Sequence, residues 1–285
     1  MRILITGADG QLGRDLQLVL KGHTLIRAVW PEFDLLNTDV EKQVLGPRPD
    51  AVFHLAAYID VDGAEREPSK AMAVNAEGTE RVARAVDKAG ARLIYLSTDY
   101  VFDGRKASPY VETDEPNPLN AYGRSKLEGE RRALACCPST LVVRSAWLYG
   151  VHGKNFVNTI TRLASEQSAL RVVADQRGCP TYAGDLAMAL ARMLDTDLRG
   201  VVHATGAGDC TWYEFACAIV SLMGSRVPVY PITTAEAGRA ALRPSYSVLA
   251  NVTLAKAGIT LSHWKEALTR YMSEQKKVEA ATESA

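Results

Sequence analysis

Arg2-Ile3-Leu4-Ile5-Thr6-Gly7-Ala8-Asp9-Gly10-Gln11-Leu12-Gly13 follows the initial methionine. Its first five residues are a short apolar, β-branched run and read as a strand buried on both faces. Three glycines at a spacing of three come next. A helix then runs to about Leu20, with Leu12, Leu16, Val19 and Leu20 on one side. A glycine turn between a buried strand and a helix is where a dinucleotide pyrophosphate rests on a helix N-terminus. Gly7 permits the tight turn, Gly10 lets the backbone approach phosphate, and Gly13 lets helix and strand pack closely. The spacing is G-x-x-G-x-x-G rather than the commoner G-x-G-x-x-G, so the reading rests on position as much as on pattern.

Moving outward, strands and helices alternate. Strands are expected at Leu25–Val29, Ala51–Leu55, Arg92–Ser97 and Thr140–Arg144, with helices over Val40–Leu45 and Lys70–Ala89, the latter ending at Gly90. This alternation implies right-handed βαβ units and a Rossmann-type, doubly wound parallel sheet in an α/β fold. The loop from Asp99 to Leu119 is long and holds three prolines. Asn117 followed by Pro118 predicts a helix start there, with Asn as cap and Pro at the first position. Beyond Gly150 the pattern predicts helices near Phe156–Ala164, Gly184–Leu194, Tyr213–Met223 and His263–Glu274. Short strands are expected near Arg171–Val173, Val201–His203 and Val227–Val229. The expected organisation is a dinucleotide-binding domain over 1–149, with a returning segment near 183–205. A smaller C-terminal α/β substrate lobe covers 150–182 and 206–275, and a polar, disordered tail covers 276–285.

Tyr122 and Lys126 lie four apart on the helix after the proline loop. That spacing puts both side chains on one face. A neighbouring ammonium favours phenolate and should pull the Tyr122 pKa down from its ordinary value near ~10. Such a pair can move a proton at an oxygen beside a reacting carbon. A Tyr–Lys pair at this spacing is by itself common on helix surfaces, so its meaning depends on its surroundings. Ser97-Thr98-Asp99 ends the fourth strand, and ligands in such sheets bind at the carboxyl ends of strands. There Thr98 would face the same crevice as Tyr122. His54-Leu55-Ala56-Ala57-Tyr58 ends the third strand, where small residues let the chain pass close to an adenosine or ribose.

The 33 basic and 33 acidic residues cancel, so no basic field points to nucleic acid or to an anionic membrane. The five cysteines are odd in number and lack metal-ligand spacing. Reduced thiols in a cytoplasmic protein are the simplest account. No run of about 18 apolar residues predicts a membrane span, and the apolar run before Gly7 is too short for a signal peptide.

Thr6-Gly7-x-x-Gly10-x-x-Gly13, Leu96-Ser97-Thr98-Asp99 and Tyr122-x-x-x-Lys126 together resemble the extended short-chain dehydrogenase/reductase family. Further stretches match a sugar-nucleotide 4-ketoreductase branch of that family, in order over nearly the whole chain. They include Val74-Asn75, Tyr100-Val101-Phe102-Asp103-Gly104, Gly129-Glu130, Arg144-x-x-Trp147-x-Tyr149-Gly150, Asn155-Phe156, Asp175-Gln176-x-Gly178-x-Pro180-Thr181 and Arg243-Pro244-x-x-Ser247-x-Leu249. Related dehydratases place an Asp-Glu pair after the Thr. Here Tyr100 follows Asp99, so the extra acid needed to eliminate water is missing. Departures fall at Ile59, Gly63 and Ala250, where Thr, Lys and Asp are usual.

The resemblance implies reduction by NADPH or NADH of the C4 ketone of dTDP-6-deoxy-L-lyxo-4-hexulose, giving dTDP-L-rhamnose. It implies Tyr122, Lys126 and Thr98 as catalytic residues, with Tyr122 as proton donor. For the cofactor it implies Gly7, Gly10, Gln11, Leu12, Gly13, Asp34, Leu35, Ala56, Ala57 and Tyr58 beside Tyr122 and Lys126. For the sugar nucleotide it implies Thr98, Asp99, Phe102, Trp147, Asn155, Phe156, Gln176 and Arg243. A homodimer, with Mg at its contact, is a further expectation of the resemblance; no metal ligand is assigned within the chain. The second strand ends at Val29-Trp30 with neither an acid for a ribose 2′-hydroxyl nor a base for a 2′-phosphate, although Arg27 is near, so NADH and NADPH both stay open. Two other readings stay open as well: a 4-ketoreductase for another dTDP-deoxysugar, and a non-catalytic dinucleotide-binding regulatory subunit.

Overall fold

The structure is a computed structural model that describes residues 1–283, and side chains as far as Lys276. Its centre is a six-stranded, all-parallel sheet. The strands are β1 (Arg2–Thr6), β2 (Thr24–Ala28), β3 (Ala51–His54), β4 (Arg92–Thr98), β5 (Leu141–Ser145) and β10 (Gly200–His203). They lie in the order β10-β5-β4-β3-β1-β2. The strands are apolar on both faces because both faces are covered. Ile3, Ile5, Phe53, Ile94 and Val143 point toward α1 (Gln11–Val19) and α8 (Ala183–Leu194). Leu4, Val52, Leu93 and Val142 point the other way, toward α2 (Val40–Leu45), α5 (Thr79–Lys88) and α6 (Ala121–Cys136). The chain reverses its winding between β1 and β3, and the crevice above that point is the ligand position of this architecture.

A second core forms in the C-terminal part, around Tyr149, Val157, Ile160, Phe215, Ile219, Leu268 and Tyr271. Its elements are α7 (Phe156–Glu166), α9 (Trp212–Leu222) and α12 (Trp264–Glu283), with β7 (Leu170–Val173) paired in parallel with β12 (Val229–Ile232). Residues 276–283, read as the start of a frayed tail, continue α12; this segment is rich in Lys, Glu and Ala, which favour helix. The rest of that expected tail, 284–285, lies outside the described residues. Among the described residues no helix is long and apolar enough to cross a membrane.

Three expected elements differ. The helix over Lys70–Ala89 is broken into α4 (Pro68–Met72), a π-helical turn at Ala73–Gly78, and α5. Asn75 is the reason: its side chain accepts from the Tyr58 N–H at 2.8 Å and donates to the Tyr58 carbonyl at 3.0 Å and to Ser125 Oγ at 2.9 Å. Those bonds hold one widened turn in the helix. The helix bearing Tyr122 starts three residues later than expected. Asn120, not Asn117, caps it by accepting from Gly123 N at 2.7 Å, while Asn117 donates to Asp103 at 3.1 Å. The strand expected over Val227–Val229 is β12 at Val229–Ile232; the Pro228 carbonyl accepts from Leu170 just before the ladder begins.

The C-terminal end of α8 is closed from the sheet. The Arg92 guanidinium donates to the carbonyls of Met193 and Leu194 at 3.0 Å each, to that of Leu198 at 2.7 Å, and to that of Thr196. A planar five-donor group is suited to gather several orphan carbonyls at a helix end. Arg92→Ala removes this donor from the Leu194, Thr196 and Leu198 carbonyls, while Met193 still accepts from the Thr196 N–H and hydroxyl, and is expected to cost about 2 kcal/mol of unfolding free energy in a urea titration. A loss within about 0.5 kcal/mol would show that water satisfies these carbonyls equally well.

Candidate active site

Gly7 has φ +67°, and a Cβ there would lie 2.9 Å from the Ala56 nitrogen, so the glycine turn and the end of β3 touch backbone to backbone. At Gly13 a Cβ would meet the Gly7 carbonyl at 2.3 Å. Helix α1 begins at Gly10 with no side-chain cap. Its first N–H groups are therefore free to take an anion, and the helix dipole favours one there. The turn fits a pyrophosphate. Leu12 contributes only backbone, since its side chain is buried with Ile5 and Leu16. Leu35 is likewise a core residue, and its carbonyl accepts from Arg81 at 2.8 Å. Asp34 turns inward on its own loop, accepting from the Leu36 N–H at 3.0 Å. Ala56, Ala57 and Tyr58 are half-buried along the crevice. Trp30, just past β2, is 74% exposed.

Helix α6 meets the end of β4 without a gap. A Cβ at Gly123 would lie 2.1 Å from the Tyr100 carbonyl oxygen. This contact brings the Tyr122 hydroxyl close to that of Thr98. Thr98 also accepts from the Tyr100 N–H at 3.2 Å and so caps the short turn Asp99–Val101. One turn along α6, Lys126 is buried. Its Nζ donates to the Leu96 carbonyl at 2.7 Å and sits 4.2 Å from the centre of the Tyr95 ring. Thr98, Tyr122 and Lys126 thus converge at the carboxyl end of β4.

The electrostatics differ from expectation. Burial pushes the Tyr122 hydroxyl up to about 12, with the Asp99 charge adding to the rise and the Thr98 hydrogen bond opposing it. Burial also brings Lys126 down to about 7, against a smaller opposing pull from Glu130. Lys126 therefore does not lower Tyr122 here. Its ammonium is spent on a strand carbonyl and an aromatic face, and removal from water outweighs the charge effect that sequence spacing alone predicts.

Several residues expected at the sugar nucleotide have other partners. Asp99 lies behind Thr98, accepting from Thr98 Oγ1 at 3.1 Å and from Ser247 Oγ at 2.5 Å, and burial raises it to about 7. Phe102 has no exposed surface; it stacks on Tyr110 at 4.2 Å with the Arg144 guanidinium 5.1 Å from its ring. Gln176 is buried and donates to Thr234 at 2.9 Å. Asn155 caps α7 and donates to Gln11 Oε1 at 3.2 Å, tying this helix to the glycine turn. Trp147 and Phe156 both lean on Trp212, with ring centres 3.4 and 4.5 Å away. Arg243 makes a two-pronged ion pair with Asp62, at 3.1 and 2.9 Å, which holds the Asp62 carboxyl below its ordinary range.

Sequence reasoning missed Asp62, Ser247 as a partner, Trp212, and the roles of Asn75 and Glu130. Glu130 accepts from Ser97 at 2.5 Å and from Arg144 at 2.7 to 3.2 Å, a buried ion pair beneath Lys126. Asn75 and Glu130 sit in quoted motifs, so a polar residue on a helix face otherwise due for burial was the available signal. Asp62 and Trp212 carry no such signal. Among the described residues no group of His, Cys, Asp or Glu is placed to hold a metal ion, which leaves the expected Mg without support.

A dinucleotide turn at β1 and a Thr, Tyr and Lys converging beyond β4 define a nicotinamide-dependent oxidoreductase of the short-chain dehydrogenase/reductase type. Residues 1–277 match the family described as "RmlD substrate binding domain", and the chain belongs to that family. A dTDP-4-dehydrorhamnose reductase of Mycobacterium tuberculosis is 43% identical over 94% of this chain and 91% of its own. A dTDP-4-keto-6-deoxy-D-glucose reductase of Streptomyces niveus is 39% identical over 94% of this chain and 96% of its own. The crystal structure of a dTDP-4-dehydrorhamnose reductase from Bacillus anthracis, in complex with NADP, superposes with a TM-score of 0.93 at 40% identity, covering 96% of this chain and 99% of that one.

The Lys126 shift has a measurable consequence. The unfolded chain keeps a lysine proton up to about 10.5, whereas the folded chain releases it near 7. The unfolded state therefore binds more protons across this window, and stability rises with pH there, by at most about 1.4 kcal/mol per pH unit. Lys126→Met lacks this term. The unfolding free energy of wild type relative to Lys126→Met should increase as pH rises through the window. A pH-independent difference would show that Lys126 keeps its ordinary pKa.

Proposed function

We infer that the chain reduces the C4 ketone of dTDP-6-deoxy-L-lyxo-4-hexulose to give dTDP-L-rhamnose, using NADPH or NADH. The observation that carries this reading is the convergence of the Thr98 and Tyr122 hydroxyls with Lys126, above the glycine turn, in a chain about 40% identical to reductases of that name. When bound, the reduced nicotinamide supplies the hydride. The chain's own residues do the remainder. The N-terminus of α1 takes the pyrophosphate, and Lys126 and Tyr122 hold the nicotinamide ribose. Thr98 hydrogen-bonds the sugar O4. Tyr122 gives O4 a proton as negative charge develops. A hydroxyl held near 12 stays protonated at neutral pH and can give its proton to the sugar alkoxide, whose conjugate alcohol is the weaker acid. Arg243, whose two terminal nitrogens are held by Asp62, would offer the diphosphate its charge and remaining donors.

Tyr122→Phe should lower kcat by about 10²–10⁴ while NADPH still binds in a fluorescence titration. Turnover close to that of wild type would remove Tyr122 from the mechanism. Arg243→Ala should weaken binding of dTDP in calorimetry by about tenfold more than it weakens NADPH. Equal loss for both ligands would sink the diphosphate role. A second reading, a 4-ketoreductase for another dTDP-4-keto-6-deoxysugar, is favoured by the 39% identity to the Streptomyces niveus reductase and by the departures at Ile59, Gly63 and Ala250. NMR of the product separates the two by the configuration at C4.

A further inference from the structure

Asp99 is a buried carboxyl, 3% exposed, that no step of the proposed reaction uses. Both of its oxygens are engaged away from the crevice. Thr98 Oγ1 donates to Oδ1 at 3.1 Å, and Ser247 Oγ donates to Oδ2 at 2.5 Å. Ser247 is itself buried and is fixed by its own N–H, which donates to the Arg177 carbonyl at 2.8 Å. The other titratable groups that feel the Asp99 charge are Tyr100 on the same turn, Tyr122 on α6 and Cys179 from the C-terminal part. Burial raises all three, so they are neutral at pH 7. Arg243 lies beyond them, at the Tyr100 hydroxyl.

A hydroxyl carries one proton and two lone pairs. The Thr98 oxygen accepts from the Tyr100 N–H at 3.2 Å, and the Tyr122 hydroxyl lies close to it. An ionised carboxylate only accepts. It therefore draws the one Thr98 proton to itself and leaves Thr98 a lone pair for the crevice. A threonine held so has nothing to donate to the sugar O4. A protonated carboxyl reverses the bond. Its O–H donates to Thr98, both Thr98 lone pairs are then filled, and the Thr98 proton is free to turn to O4. Burial raises the Asp99 carboxyl to about 7, with the Ser247 and Thr98 hydrogen bonds opposing the rise. Both forms are therefore populated near neutral pH.

We infer that Asp99 is a positioning residue: it sets which way the Thr98 hydroxyl proton points, from behind and without touching the sugar, while Ser247 holds the carboxyl in reach. The inference rests on the function proposed above. With Asp99 protonated, Thr98 and Tyr122 both aim a proton at O4 as charge develops there; with Asp99 ionised, only Tyr122 does. A donor aimed in advance at developing charge acts mainly in the transition state, so the effect falls on the rate more than on sugar binding. Asp99 keeps its own proton throughout. The hydride comes from the nicotinamide and the proton that O4 gains comes from Tyr122.

The test follows the single-turnover rate of NADPH oxidation at saturating keto-sugar nucleotide, from about pH 5.5 to about 8.5. In wild type the rate should fall about tenfold as pH rises, with a midpoint near 7. An asparagine amide can donate as the protonated carboxyl does, and it does not titrate. Asp99→Asn should therefore hold the low-pH rate within about threefold over the whole range. Ser247→Ala removes a bond to the ionised form and should move the midpoint up by about 0.5 to 1 pH unit, with KM for the keto-sugar nucleotide within about twofold of wild type. If Asp99→Asn does not fold, Ser247→Ala carries the test. A tenfold fall that persists in Asp99→Asn belongs to Lys126, which also releases its proton near 7, and overturns the inference. An unmoved midpoint in Ser247→Ala overturns it too, as does a tenfold rise of KM in Asp99→Asn, which would put Asp99 on the sugar. Wild type that fails to oxidise NADPH with the keto-sugar at any pH overturns the proposed function instead. Carbon-13 NMR of the Asp99 carboxyl then decides the arrangement: Thr98→Val should raise its titration midpoint, and an unmoved midpoint would show that Thr98 does not donate to Asp99.

Discussion

Helix α6 lies against the end of β4 and against the π-helical turn at distances that leave no room for a Cβ. At Gly123 the obstacle is the Tyr100 carbonyl, and at Gly129 it is the Asn75 carbonyl, 2.2 Å from where a Cβ would stand. Tyr122 immediately precedes the first of these contacts, and Lys126 lies between the two. With either glycine replaced, α6 has to move away from the sheet. The Tyr122 hydroxyl would then leave Thr98, and the Lys126 amine would leave the Leu96 carbonyl. The polar bonds at this interface are fitted to that separation: Ser125 to Asn75, Glu130 to Ser97, and Glu130 to Arg144. A buried ion pair gains little net stability because desolvation offsets its attraction, but breaking one partner is costly. The Glu130–Arg144 pair therefore acts mainly to fix where α6 sits.

Close packing also decides the protonation states. A sequence argument places a cation four residues from a phenol and expects the phenol to become more acidic. In the fold both groups are pressed into the same dry interface. Desolvation acts on each in the direction of its neutral form, raising Tyr122 and lowering Lys126. Charge–charge attraction would need the ammonium to face the phenol, and it faces β4. The result still suits an acid. A phenol that keeps its proton at neutral pH is a ready donor to an alkoxide, whereas a phenolate would first have to be protonated.

What the sequence shows and what it hides divide along a physical line. Strand β1, the glycine turn and the alternation of elements are local patterns of burial and backbone freedom, and they are legible without the fold. That Tyr122, Lys126 and Thr98 come together is legible, because helical spacing puts the first two on one face and Thr98 ends the strand that this face packs on. The π-helical turn is hidden, since the run Ala73–Gly78 has good helix propensity and is widened only by bonds from Asn75 to Tyr58 and Ser125, 17 and 50 residues away. Asp99 and Phe102 mislead for a related reason. They stand beside Thr98 in sequence, but the short turn at Asp99–Val101 swings them behind it, toward Ser247 and Tyr110. Proximity along the chain is a guide to a site only as far as the next turn.

The C-terminal part of the chain is tied to the six-stranded sheet by polar contacts on both sides of the crevice. Asn155 donates to Gln11 at the glycine turn, and the Gln11 amide donates to the Lys154 carbonyl at 3.3 Å. On the other side of the crevice the Asn120 amide donates to the Leu242 carbonyl at 2.8 Å while its oxygen caps α6, so one side chain joins the helix of Tyr122 to the strand of chain that ends in Arg243. Asp62 continues this line by gripping Arg243 and the Ala241 N–H. A group that draws Arg243 or Gln11 toward itself thus pulls on the cap of α6 or on the glycine turn.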